Sequence, residues 1–70
     1  MENLNYNAGL TGAGNQKIEG FEPYFNKFVW VGYINHAKKE VRPAFGYFYP
    51  HKYGKRMKAK AKKLGYTFKN

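Results

Sequence analysis

The chain has no cysteine. Disulfide staples, thiolate metal sites, redox dithiols and cysteine nucleophiles are therefore excluded together. Acid is nearly as scarce, with Asp and Glu totalling 4 against 13 Lys and Arg, and no acidic residue follows Glu40. Long apolar runs are missing too, so no segment has the length needed to cross a bilayer. The opening "MENLNYNAGLTGAG" has neither a basic n-region nor an apolar h-region. The expectation is a soluble protein of the cytoplasm, or of the host cytoplasm or a virion if it is viral, with no membrane partner.

What is present is positive charge, +9 overall with a pI near 9.9, and its placement is uneven. Glu2, Glu19 and Glu22 face only Lys17 in the first 23 residues, whereas every other Lys and Arg lies beyond them against Glu40 alone. Such a field repels copies of the molecule and attracts polyanions. At 70 residues the chain forms one domain at most, with a core worth only about a few kcal/mol. A partner, an oligomer or dense aromatic packing would have to help. Seven tyrosines, six phenylalanines and one tryptophan favour the aromatic option.

Residues 1–16 carry Gly9, Gly12 and Gly14 among four asparagines and read as a flexible N-terminal arm. Leu4, Tyr6 and Leu10 are its anchors if it orders against a partner. Residues 17–70 form the domain. A short extended piece fits 18–21, and Pro23 biases Glu22 toward extended backbone. Residues 24–34, "YFNKFVWVGYI", give the clearest strand, with Phe28, Trp30 and Ile34 on one face and Lys27, Val29, Val31 and Tyr33 on the other. Both faces are apolar or aromatic, so one packs on a helix and the other is covered by the arm or a partner. Polar residues 35–40 connect to a second strand over 41–49, in which Val41, Phe45, Tyr47 and Tyr49 alternate with Arg42, Ala44, Gly46 and Phe48. Pro43 belongs near that strand's start or on an edge, and Pro50 closes it. Gly32 and Gly46, inside strands, mark bulges or close backbone approaches.

The following segment has helical periodicity over 55–64, with room for one earlier turn. Tyr53, Met57, Ala61 and Leu64 lie within an arc of about 80°, a narrow stripe suited to a small sheet. Gly54 suits the N-cap and Gly65 the C′ position. "YTFK", residues 66–69, returns as a last strand. The fold class is thus α+β: a small antiparallel hairpin or sheet in ββαβ order, packed by one basic amphipathic C-terminal helix.

That helix is built against its own stability. Arg56 with Lys60, and Lys58 with Lys62, are like charges four residues apart, each costing about 0.2–0.5 kcal/mol in an isolated helix. Lys55 and Arg56 also oppose the helix dipole. A helix selected for stability alone would mix in glutamates, so an anionic partner is expected. If this partner is nucleic acid, Lys52, Lys55, Arg56, Lys58, Lys60, Lys62, Lys63 and Arg42 meet phosphates, aided by free N–H groups after Gly54. Lysine dominates and lacks the bidentate geometry that reads guanine, so little sequence preference is expected. Tyr33, Tyr47 and Tyr49, together with any exposed members of Phe45 and Phe48, are the candidates for stacking on unpaired bases.

Two short resemblances carry less. Phe45-Gly46-Tyr47 resembles the middle of the RNP1 motif of RNA-binding sheets, but Pro43, Phe48 and Pro50 depart from it, so an RNP-type domain is not expected. Gly32-Tyr33-Ile34 and Gly46-Tyr47-Phe48 resemble the signature of GIY-YIG nucleases. That chemistry needs a carboxylate beyond the helix, and none follows Glu40. Glu19 and Glu22 flank a glycine without a cleft, His36 and His51 are too far apart for a ready ligand pair, and the glycines of the arm precede no phosphate-binding Lys-Ser or Lys-Thr. No catalysis, cofactor or metal is expected. The leading expectation is a small basic protein that binds DNA or RNA. The alternatives are a phage- or virus-type accessory or inhibitory protein covering an acidic protein surface, and a structural subunit of a virion or ribosome-like assembly.

Overall fold

The computed structural model describes residues 4–70. Its elements are β1 (Leu4–Asn5), β2 (Gln16–Glu22), β3 (Lys27–Asn35), β4 (Glu40–Pro43), α1 (Lys52–Leu64) and β5 (Thr67–Phe68). The strands form one five-stranded sheet in the order β1-β2-β3-β4-β5. Neighbours are antiparallel except β4 and β5, which run parallel because α1 crosses between them. The α+β class and the helix-then-strand ending stand as read. The sheet is mixed and is extended beyond the ββαβ segment by β1 and β2.

Part of the segment read as an arm therefore joins the sheet. Leu4 and Asn5 pair with Gly20 and Glu19, and Leu4 and Tyr6 pack against the core. Leu10, the third expected anchor, is 71% exposed. Residues 1–3 of that arm lie outside the described residues.

The central correction concerns β3. Ile18 pairs with Gly32 but Glu19 with Trp30, so Val31 is an extra residue in the ladder. A bulge of this kind shifts the alternation by one, and residues on either side of it no longer share the expected faces. Val29, Val31 and Ile34 turn toward the helix, while Phe28, Trp30 and Tyr33 turn away. Phe28 and Trp30 therefore part company with Ile34, contrary to simple alternation. Gly32 sits at the bulge with the sulfur of Met57 close above it, where an added Cβ would collide with Met57 Sδ and lie 2.6 Å from the Arg42 carbonyl oxygen.

The second strand is also shorter than expected. It ends at Pro43, the ladder closing with the Ala44 N–H donating to the Val31 carbonyl at 2.7 Å. Residues 44–51 then fold as turns, with the Tyr47 N–H on Ala44 O and the His51 N–H on Phe48 O, and with Gly46 at φ 92°. The Tyr49–Pro50 peptide is cis. Proline cannot continue the ladder, and a left-handed glycine turns the chain out of it. Phe45 and Tyr49 consequently share no strand face with Val41.

Helix α1 begins at Lys52, earlier than its expected core of 55–64. His51 is its N-cap and its Nδ1 accepts from the Tyr53 N–H at 3.1 Å. Gly54 is interior rather than the cap. Its missing side chain lets the helix approach the 47–49 backbone, where a Cβ would meet Tyr49 N at 2.7 Å and Tyr47 O at 2.8 Å. Gly65 ends the helix as expected, with φ 76° and Tyr66 N–H donating to Ala61 O at 2.8 Å.

The core consists of Ile18, Val31, Ile34 and Val41 from the sheet under Tyr53, Met57 and Ala61 from the helix. Leu64, expected in that stripe, is left out of the core at 37% exposure. Only one buried residue of the core is aromatic. The dense aromatic packing anticipated from composition is thus largely replaced by β-branched aliphatics, with Tyr6, Tyr47, Tyr66 and Phe68 packed half-buried around them and rings such as Phe28, Trp30 and Phe45 left exposed.

Candidate nucleic-acid interface

The basic residues of α1 separate into three rows because the helix has 3.6 residues per turn. Lys55, Lys58 and Lys62 face the side where β5 lies and line a shallow groove of about 540 Å³ together with Tyr49, Tyr66 and Phe68. Arg56 and Lys60 lie on the opposite flank, where Lys60 Nζ stands 4.7 Å from the centre of the Tyr6 ring. Arg56 is half-buried and one of its terminal nitrogens is buried without a hydrogen-bond partner. Lys52 and Lys63 form the third row, both exposed, with Lys52 Nζ 5.0 Å from the centre of the Tyr53 ring.

The groove brings charge and rings together without an acidic lining residue. Lys58 Nζ lies 4.5 Å from the Tyr49 ring centre. This contact orients the ammonium by attraction to the ring face while leaving its other donors available. Tyr49 is held from the other side, its N–H donating to Asn70 Oδ1 at 2.8 Å. Tyr66 is fixed by His36, whose Nδ1 lies 2.9 Å from the phenol oxygen while Nε2 lies 2.6 Å from Gln16 Oε1. Polar contacts thus anchor the Tyr66 ring and the Tyr49 backbone.

The remaining predicted residues do not join this groove. Tyr47 packs at the core edge, 5.0 Å from the His51 ring and 6.0 Å from Tyr53. Burial raises the pKa of Tyr47 and of Tyr53, and the Glu22 carboxylate raises both further, while Arg56 partly opposes this at Tyr53. Tyr53 also donates its hydroxyl to the Phe21 carbonyl. Tyr53 is thus part of the core, and Tyr47 is half-buried at its edge. The N–H groups expected after Gly54 are intrahelical, since the helix starts earlier.

Arg42 and Tyr33 are paired on the far side of the sheet. Arg42 Nε contacts Glu40 Oε1 at 3.3 Å, and Lys69 Nζ lies 3.5 Å from Glu40 Oε2. Burial would raise the Glu40 pKa, but the hydrogen bond from Arg42 and the charges of Lys69 and Arg42 outweigh it, so the carboxyl lies below its ordinary value of 4.5. Arg42 is thus partly neutralised.

Sequence reasoning missed the rest of that far side. Along β3, Phe28, Trp30 and Tyr33 form a row, flanked on β2 by Phe21, Glu19 and Lys17. Phe28 and Trp30 are 47% and 48% exposed. Gly32 was the available signal, since a glycine within a strand marks a bulge, and a bulge at that point reassigns Trp30 to the open face. Tyr66 and Phe68 were legible as one strand face but not as groove walls. Among the described residues there is no group of three or more acidic or histidine side chains placed to hold a metal ion, and no helix is long and apolar enough to cross a membrane.

Comparison of the chain with protein-family models, with curated proteins and with solved structures finds no match in any of the three.

Proposed function

We propose that the protein binds nucleic acid without catalysing a reaction on it, using α1 to contact phosphates with little sequence preference. The observation that carries this reading is the acid-free groove in which Lys55, Lys58 and Lys62 face Tyr49, Tyr66 and Phe68. Lysines supply point charges for a polyphosphate backbone, and rings beside them supply surfaces for sugars or bases. The like-charge spacing along α1 also makes sense here, because bound phosphate removes the repulsion that destabilises the free helix. Lys52 and Lys63 extend the cationic surface outward, and Arg56 and Lys60 extend it around the helix.

Titration of random single-stranded and duplex oligonucleotides tests this. Log K should fall linearly with log salt, and the variant Lys55→Gln/Lys58→Gln/Lys62→Gln should reduce the slope by about three, one for each lysine neutralised. Absence of binding to any DNA or RNA at about 50 mM salt would overturn the reading. An acidic protein surface would then be the anion to seek.

A further inference from the structure

We infer that Trp30 and the loop 10–15 form a slot for an unpaired nucleobase on the open face of the sheet. The inference rests on the nucleic-acid reading and adds to it a preference for single strands.

The slot begins with the bulge. Val31 breaks the ladder and leaves the Gly32 carbonyl able to accept from the Trp30 indole N–H at 2.7 Å. This bond fixes the orientation of the ring although the residue is half exposed. An exposed tryptophan with a satisfied N–H offers its π-face at little entropic cost.

The loop supplies the facing wall. Thr11 N–H donates to Asn15 O at 2.7 Å, Gly14 N–H to Thr11 O at 2.9 Å, and Asn15 N–H to Thr11 Oγ1 at 3.1 Å. The Lys17 N–H reaches back to Gly9 O at 2.8 Å, and Leu10 bridges Gln16. The loop is therefore closed on itself and tied to β2 at its base. Two small clefts open between it and Trp30. One, about 220 Å³, is lined by Leu10, Thr11, Gly12, Lys17 and Trp30. The other, about 270 Å³, runs past Ala13 and Asn15 to Tyr33.

Chemistry selects the occupant. The exposed indole face suits a flat ring laid against it, and Thr11 and Asn15 are polar residues lining the clefts. Lys17 lines one cleft, and the net charge of +9 favours a negatively charged chain even with Glu19 across the ladder from Trp30. A second copy of this protein carries the same +9 charge and is repelled. An unpaired base on a phosphate backbone meets all three conditions, and Phe28 next along β3 offers a neighbouring ring for the following base. A duplex has its bases stacked inside and cannot enter.

Trp30 is the only tryptophan, so its emission reports on the slot directly. The full chain is titrated with oligothymidylate of about 15 nucleotides, with an abasic deoxyribose-phosphate oligomer of equal length, and with a duplex of equal length. Quenching by oligothymidylate alone is the expected result. Trp30→Leu should weaken oligothymidylate binding by about tenfold or more while leaving duplex binding unchanged, the loss expected for one stacked base. The triple glutamine variant of α1 should instead weaken binding of all three probes. Equal quenching by the abasic oligomer, or binding of all three probes without any change in emission, overturns the slot while leaving the nucleic-acid reading intact. Binding of none removes both. A concentration-dependent dimer in sedimentation, with the emission shifting in step, would assign the face to a second copy and overturn the proposal as well. The wild-type comparison of the three probes decides the matter even if Trp30→Leu fails to fold.

Discussion

The two faces of this sheet are made from the same strands yet divide the residue types in opposite ways. Toward α1 point Ile18, Val31, Ile34 and Val41, all fully buried or nearly so. Away from it point Phe21, Phe28, Trp30 and Tyr33, with Lys17, Glu19 and Arg42 between and beside them. Small domains ordinarily use large rings to fill their cores, because each buries much area at low entropic cost. Here branched aliphatics do that task, and the rings are left in contact with solvent. Core stability does not account for the rings that this fold leaves exposed, and the nucleic-acid binding proposed above would.

Removing one apolar side chain from each face should give the clearest contrast. Ile34→Ala takes a fully buried side chain from under the helix and is expected to cost about 2–5 kcal/mol, enough to unfold much of a domain this small. Phe28→Ala removes a larger group from the open face, yet its cost should stay within about 1 kcal/mol. Urea denaturation followed by circular dichroism measures both. Equal losses would mean that the open face is a second core.

Gly54→Ala sharpens the comparison from the helix side. Intrinsic propensity alone favours alanine by about 1 kcal/mol. The added carbon would lie 2.7–2.8 Å from the backbone of Tyr47 and Tyr49, which cannot retreat as a flexible side-chain tip can. A net loss of about 1–3 kcal/mol is expected, together with displacement of Tyr49 from Lys58. A stabilised variant would show that the helix does not need its close approach to the 47–49 turn.

The smallest effect belongs to Glu40, at the margin where β4 meets β5. Its carboxyl is held below the ordinary 4.5 by Arg42 and Lys69 despite the opposing effect of burial. A group whose pKa is depressed by folding binds protons more weakly in the native state, so its contribution is present above the unfolded value and lost as pH falls through the folded one. Glu40→Gln should therefore lower Tm slightly at pH 7, with wild type and variant converging in acid. Thermal melts from pH 7 to pH 3 follow this, and a gap that persists at the acid end would assign the effect to something other than the charge.

How much of this was legible beforehand differs by element. The helix and its end at Gly65 follow from a period of 3.6 and a left-handed glycine, both local properties. The last strand was readable because two rings alternate immediately after that glycine. The faces of β3 were not readable, since one extra residue at Val31 reverses an alternation that depends on counting by two. The strand over 41–49 failed for a similar reason: its alternation was real as a pattern, but Pro43 and the left-handed Gly46 prevent the backbone from using it. In the site, the lysines were visible as charge, while their division among three rows and the rings of Tyr66 and Phe68 opposite one of them required the tertiary arrangement. Leu4 and Tyr6 were too isolated in a glycine-asparagine stretch to signal a strand of two residues.

The spatial order of the strands repeats their order along the chain, and this bears on how the molecule comes into being. Each antiparallel pairing joins segments that are consecutive in sequence, so the sheet grows hairpin by hairpin, and only the seating of β5 must wait for the helix. Closing short loops costs little chain entropy, and topologies rich in such local closures zip up faster than those that must first bring distant segments together. For a polycation with many exposed rings, rapid assembly limits the time during which the unfolded chain can be captured indiscriminately by polyanions.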